Sequence, residues 1–402
     1  MMALVAMCGL NSCSDDCNHE FFEVDYSKAL VGTWTLVTEG FAEAWVIKED
    51  GSVEVTGVLG GMYYETKGTI KLKNNKMSYK LDDGSDFEGI LDIIPGKCFS
   101  MTYADYPDLE YRMAYEYCAN DLADEVVGMW IYNDVKSDMR IHTYEENGSA
   151  TFTGWSNYLN EFSVMENSGY KVIGDLLFQY FSNDEENSTP YIVSRLMYVP
   201  NGNALGDMMY ISTYSFDEEA NTETITSWLR VKQNLDLAGK AYDYSATYIS
   251  NAKGADKDIP FLDTKFNFAH MDGSIIDKFL KSVLYNVQFP DAKTFQYNCL
   301  LEGQNVSLQL PIEVEGNKMT IKMSSRHASY RDVVVYAFQD QDACQFHMYM
   351  PTASFENFFS NLSLSILSAS GQVDINNPVH VDAVYKEVAD AIESINVSIV
   401  MK

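Results

Sequence analysis

The sequence predicts a mainly β protein: two tandem antiparallel β-barrels, then a third β-rich, barrel-like domain with flanking helices. Three observations carry this expectation. Short runs that alternate apolar and polar residues, separated by Gly, Asn and Asp turn signals, fill most of the 402 residues. A Gly-x-Trp element occurs twice, in Leu30-Val31-Gly32-Thr33-Trp34 and Val126-Val127-Gly128-Met129-Trp130. Each copy is followed at nearly the same spacing by an acidic turn, Glu49-Asp50-Gly51-Ser52 or Glu145-Glu146-Asn147-Gly148-Ser149. The two Trp lie about a hundred residues apart, which suits a repeated domain better than the 20 to 50 residue period of a solenoid. Helical spacing of apolar residues is confined to the last third of the chain.

Composition sets the class of partner. A 46% hydrophobic, 21% charged chain is mostly folded, and 28 Lys and Arg against 58 Asp and Glu give a formal charge of −30. That charge opposes binding to phosphate backbones and anionic headgroups, so nucleic acid is not an expected partner.

Met1 to Leu10 is uncharged and apolar, too short to span a bilayer but suited to a secretory signal. Residues 1–22 therefore read as signal and tether, 23–120 as the first barrel, 121–252 as the second and 253–402 as the C-terminal domain. In the first barrel, Ile70 and Leu72 alternate with lysines, Asn74-Asn75 turns the chain, and Met77, Tyr79 and Leu81 return. Ile90 to Tyr103 and Tyr111 to Cys118 flank a turn at Tyr106-Pro107-Asp108. Cys98 and Cys118 are equidistant from residue 108, which makes them a candidate cross-strand disulfide in an exported protein; two buried thiols on adjacent strands are the alternative. The second barrel runs through Tyr191 to Val199, Met208 to Phe216 and Thr224 to Val231, with the next boundary expected in polar Asn251 to Asp258.

In the last domain Ser274 can cap a helix carrying Ile276, Phe279, Leu280, Val283 and Leu284. Val306 to Val314 alternates as a strand, Gly316-Asn317 turns, and Met319, Ile321 and Met323 return, followed by strand-like Val333 to Phe338 and Gln345 to Met350. Two amphipathic stripes follow: Phe355, Phe358, Phe359, Leu362 and Ile366, then Val381, Val384, Tyr385, Val388, Ile392 and Ile395. They read as helices covering a barrel or sheet, with a cofactor groove as the sharper alternative. A terminal strand from Val397 to Met401 closes the chain.

Leu10-Asn11-Ser12-Cys13 resembles a bacterial lipobox, and Ser14-Asp15-Asp16 behind it resembles the acidic export signal of surface lipoproteins in Bacteroidota. The resemblance implies lipid on Cys13, attachment to the membrane through that anchor alone, and an outer-membrane position facing the exterior. The repeated Gly-x-Trp resembles the signature of lipocalins and other calycins over about residues 28 to 235. It implies structural roles for Gly32, Trp34, Gly128 and Trp130. A closed sheet needs a large rigid plug where side chains converge, and an adjacent Gly allows a backbone approach that a Cβ would obstruct.

Catalytic signatures are absent from the sequence. The six His are scattered, with no His-Glu-x-x-His helix, and Cys344 and His347 fall three apart on an expected strand, where they face opposite sides. Gly-x-Ser-x-Gly, the phosphate loop and the dinucleotide fingerprint are all missing. Asp184-Glu185-Glu186 and Asp217-Glu218-Glu219 read as solvated acidic loops rather than calcium sites. No catalytic residue, metal or cofactor is implied, and no ligand-binding residue is assigned, although Trp45, Trp155 and Trp228 are available as stacking platforms. The expectation is a non-enzymatic, lipid-anchored cell-surface protein that binds an extracellular glycan, lipophile or other small molecule, or protein. The alternatives are a carbohydrate-active or other hydrolytic surface lipoprotein, and a structural spacer with no ligand.

Overall fold

A computed structural model describes residues 25–402, apart from 39–40, 104–113, 133–138, 157–160, 182–189, 201–205, 215–222, 255, 260–263, 268–276, 279–280, 282–283 and 302–303. It is an all-β architecture of three closed eight-stranded antiparallel barrels with a helix pair near the C-terminus. No described helix is long and apolar enough to cross a membrane.

Barrels 1 and 2 are up-and-down meanders in which consecutive strands are neighbours, and barrel 3 keeps the same order with insertions after its first strand and before its last; alternation gives most strands one apolar face. After a helical turn α1 (Tyr26–Ala29), barrel 1 comprises β1 (Gly32–Thr38), β2 (Phe41–Ile47), β3 (Ser52–Leu59), β4 (Met62–Lys73), β5 (Lys76–Leu81), β6 (Asp86–Ile94), β7 (Cys98–Tyr103) and β8 (Ala114–Cys118). Asn74 adopts φ +56 in the turn between β4 and β5, a conformation asparagine tolerates better than most residues. The barrel closes where Trp34 on β1 pairs with Tyr117 on β8. A second turn, α2 (Ala123–Val126), leads into barrel 2: β9 (Gly128–Tyr132), β10 (Arg140–Tyr144), β11 (Ser149–Ser156), β12 (Glu161–Ile173), β13 (Leu176–Phe181), β14 (Pro190–Val199), β15 (Met208–Tyr214) and β16 (Glu223–Val231). It closes through Trp130 on β9 and Arg230 on β16.

Barrel 3 begins earlier than the sequence suggests. Its first strand is β17 (Lys240–Gly254), so the expected boundary after residue 252 falls inside a strand, and the chain crosses between barrels over residues 232–239. The boundary at 252 places residues 240–252 with barrel 2, because polar Asn251 to Asp258 looks like a linker. In the fold that stretch continues into the two-stranded sheet β18 (Asp256–Ile259) and β19 (Thr264–Asn267). The remaining strands are β20 (Leu284–Asp291), β21 (Thr294–Leu301), β22 (Gln304–Glu315), β23 (Lys318–Ile321), β24 (Val333–Gln339), β25 (Phe346–Met350) and β26 (Ile392–Met401), which returns to β17. The expected helix after Ser274 falls mostly outside the described residues, and its last position, Leu284, opens β20.

Helices α3 (Thr352–Ala369) and α4 (Pro378–Ala391) pack on each other and on β26. In α3 the buried stripe is Phe355, Ser360, Asn361, Ser363, Leu364 and Leu367, while Phe358 and Ile366 face outward. The stripe is turned from the expected one because Asn361 is drawn inward. Its amide donates to Arg331 O at 2.8 Å, and its oxygen accepts from Arg331 N and the Tyr385 hydroxyl. In α4, Asn377 caps Val379 N, Pro378 occupies the first turn, and Val381, Val384, Tyr385 and Val388 are buried as their spacing predicts.

The barrels sit side by side on dry seams. Small Ala42 and Ala44 on the outside of β2 let barrel 1 approach Leu176, Phe178 and Val193 of barrel 2. Polar pairs rim this seam: Thr35 donates to Asp175 at 2.7 Å, Lys171 pairs with Glu65 at 2.6 Å, and Arg195 pairs with Glu116 and Asp175. Between barrels 2 and 3, Ile131, Leu229 and Val231 meet Phe338 and Tyr349. The main chain joins there too, as Lys232 N donates to Gln339 O at 2.8 Å.

Candidate functional site

The closed ends follow from the sequence element that precedes each first strand. Trp34 and Trp130 are fully buried, and each indole donates back to a carbonyl of the preceding helical turn, Leu30 O at 2.7 Å and Val126 O at 2.8 Å. This hydrogen bond lets an indole be buried without stranding its N–H. Gly32 and Gly128 have φ +134 and +132, where L side chains are strained, and a Cβ on Gly32 would lie 2.6 Å from the Tyr117 ring. In barrel 2 the position of Tyr117 is taken by Arg230, whose guanidinium sits 5.0 Å from the Trp130 ring and donates to Glu125 O and Val127 O.

Barrel 3 has a version of the same closure that the sequence hid. Leu237 and Gly239 stand just before β17 much as Leu30 and Gly32, the latter the first residue of β1, stand at the entry to barrel 1, and Tyr242 is buried where a plug belongs. Gln339 donates to the Tyr242 hydroxyl at 2.7 Å and to Asp236 O, and accepts from Asp236 N, so one amide pins the connecting segment across the barrel. The shared signal is an apolar residue two positions before a glycine. The aromatic falls one position later than in Gly-x-Trp and is tyrosine.

Rings of the chain itself occupy the barrel 1 lumen. Phe99 touches Trp34 edge-on at 5.0 Å and stacks on Tyr115 at 4.7 Å, and Trp45 meets Tyr115 at 5.5 Å and Tyr79 at 5.1 Å. Among them lies a carboxylate, Glu43, which is 7% exposed. Trp45, two residues along the same face of β2, donates its indole N–H to Oε2 at 2.6 Å; Tyr115 donates to the same oxygen, and Tyr64 donates to Oε1 at 2.6 Å. Tyr64 reaches across Gly57, which pairs with Glu43 on one side and Tyr64 on the other. A Cβ there would stand 2.6 Å from the Tyr64 hydroxyl and 2.8 Å from Ala42 O. Burial pushes the Glu43 carboxyl above its ordinary range, and the three donors pull partly back. The cage thus holds a proton or a negative charge in an apolar column.

Barrel 2 places His142 opposite Trp130, the register position Trp45 holds opposite Trp34. Its ring lies 3.8 Å from Trp228 and 4.2 Å from Phe152, and burial, with the Arg140 charge second, pulls its pKa down to about 3. It is a neutral packing group at physiological pH. At the closed end of this barrel a cleft of about 320 Å³ opens between α2 and β12, lined by Asp124, Glu146, Tyr170 and Lys171 among others.

Other sequence-derived candidates separate. Trp45 and Trp228 face lumens, and Trp155 is half-buried in the seam with barrel 3, 5.7 Å from Tyr336. None of the three serves as an open stacking platform. Cys98 pairs with Glu116, not Cys118, and both cysteines are free thiols, so the candidate disulfide is not formed. The register centres on 107, one residue short of the expected turn, which carries Cys118 two positions past its partner. Cys13 lies outside the described residues. The buried acidic side chains among the described residues are Glu43 and Asp340, in different barrels, and no group of three potential metal ligands converges there.

These features define a mainly β protein of three closed barrels with aromatic side chains in their lumens. No protein-family model matches the chain, and no curated protein matches it in sequence. Among solved structures it is similar to a porin-like protein from Bacteroides uniformis, at 7% identity over 92% of this chain and 94% of that one, with a TM-score of 0.14. At that score the likeness carries nothing about function.

Proposed function

We propose that this is a non-enzymatic, lipid-anchored protein of the cell envelope that meets an extracellular ligand with its outer surfaces. The observation that supports the reading is the aromatic column of barrel 1, where Trp34, Phe99, Tyr115, Trp45 and Tyr79 occupy the space a small ligand would need. A filled lumen favours a glycan or protein on the outside over a lipophile inside. The anchor is a diacylglyceryl group on Cys13, and the acidic exterior discourages adhesion to anionic surfaces. Mass spectrometry of the mature protein from a Bacteroides host tests the anchor: lipid on Cys13 supports it, and an unmodified Cys13 overturns it. Incubation with a panel of glycans tests the absence of catalysis, since release of reducing ends would favour the hydrolytic alternative.

A further inference from the structure

The outer face of β20, β21 and β22 in barrel 3 differs from the rest of this acidic molecule. Val287, Phe289, Phe295 and Leu310 point into the lumen, so the alternate residues face out. The register lines them up in two rungs across the strands. Gln288 pairs with Gln296 and Gln296 with Gln309; one step along, Asn286 pairs with Asn298 and Asn298 with Ser307. Five of these six side chains are carboxamides, and none is ionisable in a chain of net charge −30. Asp243, opposite Asn286 on β17, borders the patch.

The amides form a directed ladder. Gln309 donates to Gln296 at 2.7 Å, Gln296 donates to Gln288 at 3.0 Å and to Asn298 at 3.2 Å, and Asn298 donates to Asn286. The glutamine rung therefore ends in the unused NH2 group of Gln288 and, about two strand spacings or roughly 10 Å away, in the carbonyl and remaining N–H of Gln309. Reversing every amide exchanges the two ends and leaves the same donor and acceptor. Gln309 and Ser307 on β22 are exposed, Asn286, Gln288 and Gln296 are half-buried and Asn298 is buried, and Tyr285, in the bulge just before Asn286 at the β20 end of the face, is 43% exposed.

We propose that this carboxamide face binds a neutral glycan chain. Hydroxyl groups both donate and accept, so they match a rung that leaves free N–H donors at both ends and a free carbonyl at one, while the exposed tyrosine offers an apolar ring to a sugar face. An anionic polymer would find no cation on the face and would meet the repulsion of the whole molecule. The inference rests on the reading of a non-enzymatic surface binder and names its ligand class.

Affinity electrophoresis of the full chain through native gels containing laminarin, galactomannan or dextran, with polygalacturonate as the anionic counterpart, tests it. At least one neutral polysaccharide should retard the protein and polygalacturonate should not. Gln288→Thr/Gln309→Thr should weaken the retardation at least tenfold with an unchanged melting temperature. Should that pair disturb folding, the exposed single change Gln309→Glu should produce the same loss in a folded protein. No retardation by any neutral polysaccharide, equal retardation by polygalacturonate, or full retention in folded variants overturns the proposal. In the last case surface binding itself stands and only its location fails; release of reducing ends would instead defeat the non-enzymatic reading.

Discussion

Glu43 and half-buried His142, in the lumens of barrels 1 and 2, titrate in opposite senses. Unfolded Glu43 loses its proton in the ordinary carboxylate range, whereas folded Glu43 keeps it to higher pH. Its contribution to stability is therefore full below that range and is lost as pH rises through the raised value. His142 runs the other way. The unfolded imidazole takes up a proton near 6.5 while the folded one resists until about 3, so stability falls as pH drops through that window. Hydrogen exchange resolved by barrel across pH should show barrel 1 loosening with alkali and barrel 2 with acid, and Glu43→Gln and His142→Phe should each flatten the corresponding slope. Unchanged slopes would remove these groups as the cause. Glu43→Ala should cost about 3 kcal/mol in chemical denaturation, since it removes the buried acceptor shared by an indole N–H and two tyrosine hydroxyls. Gly57→Ala should cost about 2 kcal/mol by forcing Tyr64 off the carboxylate. The plug tryptophans were legible in the sequence because their motif is local. The Glu43 cage was not, since its donors come from three strands and its key residue is a glycine, whose contribution is an absence of atoms.

At the scale of elements, strand alternation reads well wherever one face is wet, as in β4 and β5, where lysines alternate with Ile70, Leu72, Met77 and Tyr79. It fails where the outer face is buried in a seam. Residues 41–47 and 176–180 lose their polar alternation because both faces are covered, one by a lumen and one by the neighbouring barrel. The third barrel's start was hidden for a related reason: β17 begins on one barrel's connecting segment and ends in polar residues that resemble a linker. Seams built on alanine make a specific demand. Ala44→Glu puts a charge against Phe178 and should open the barrel 1–barrel 2 contact without unfolding either barrel. Small-angle scattering should show a larger radius of gyration with an unchanged far-UV spectrum, and an unchanged radius would mean the seam does not hold the pair together.

Across the whole molecule, the barrels form one acidic body whose lumens are occupied by its own aromatic side chains, leaving outer strand faces and loops as the surfaces available to a partner. Fold class was legible because turn spacing and the repeated Gly-x-Trp are properties of the chain alone. Whether a lumen is open or filled was not, because it depends on which rings meet across strands far apart in sequence. Crystals pressurised with xenon probe that filling, since xenon enters dry apolar cavities. A lumen filled by its own rings admits no xenon on the barrel 1 axis between Trp34 and Trp45, whereas strong xenon density there means that the lumen is open.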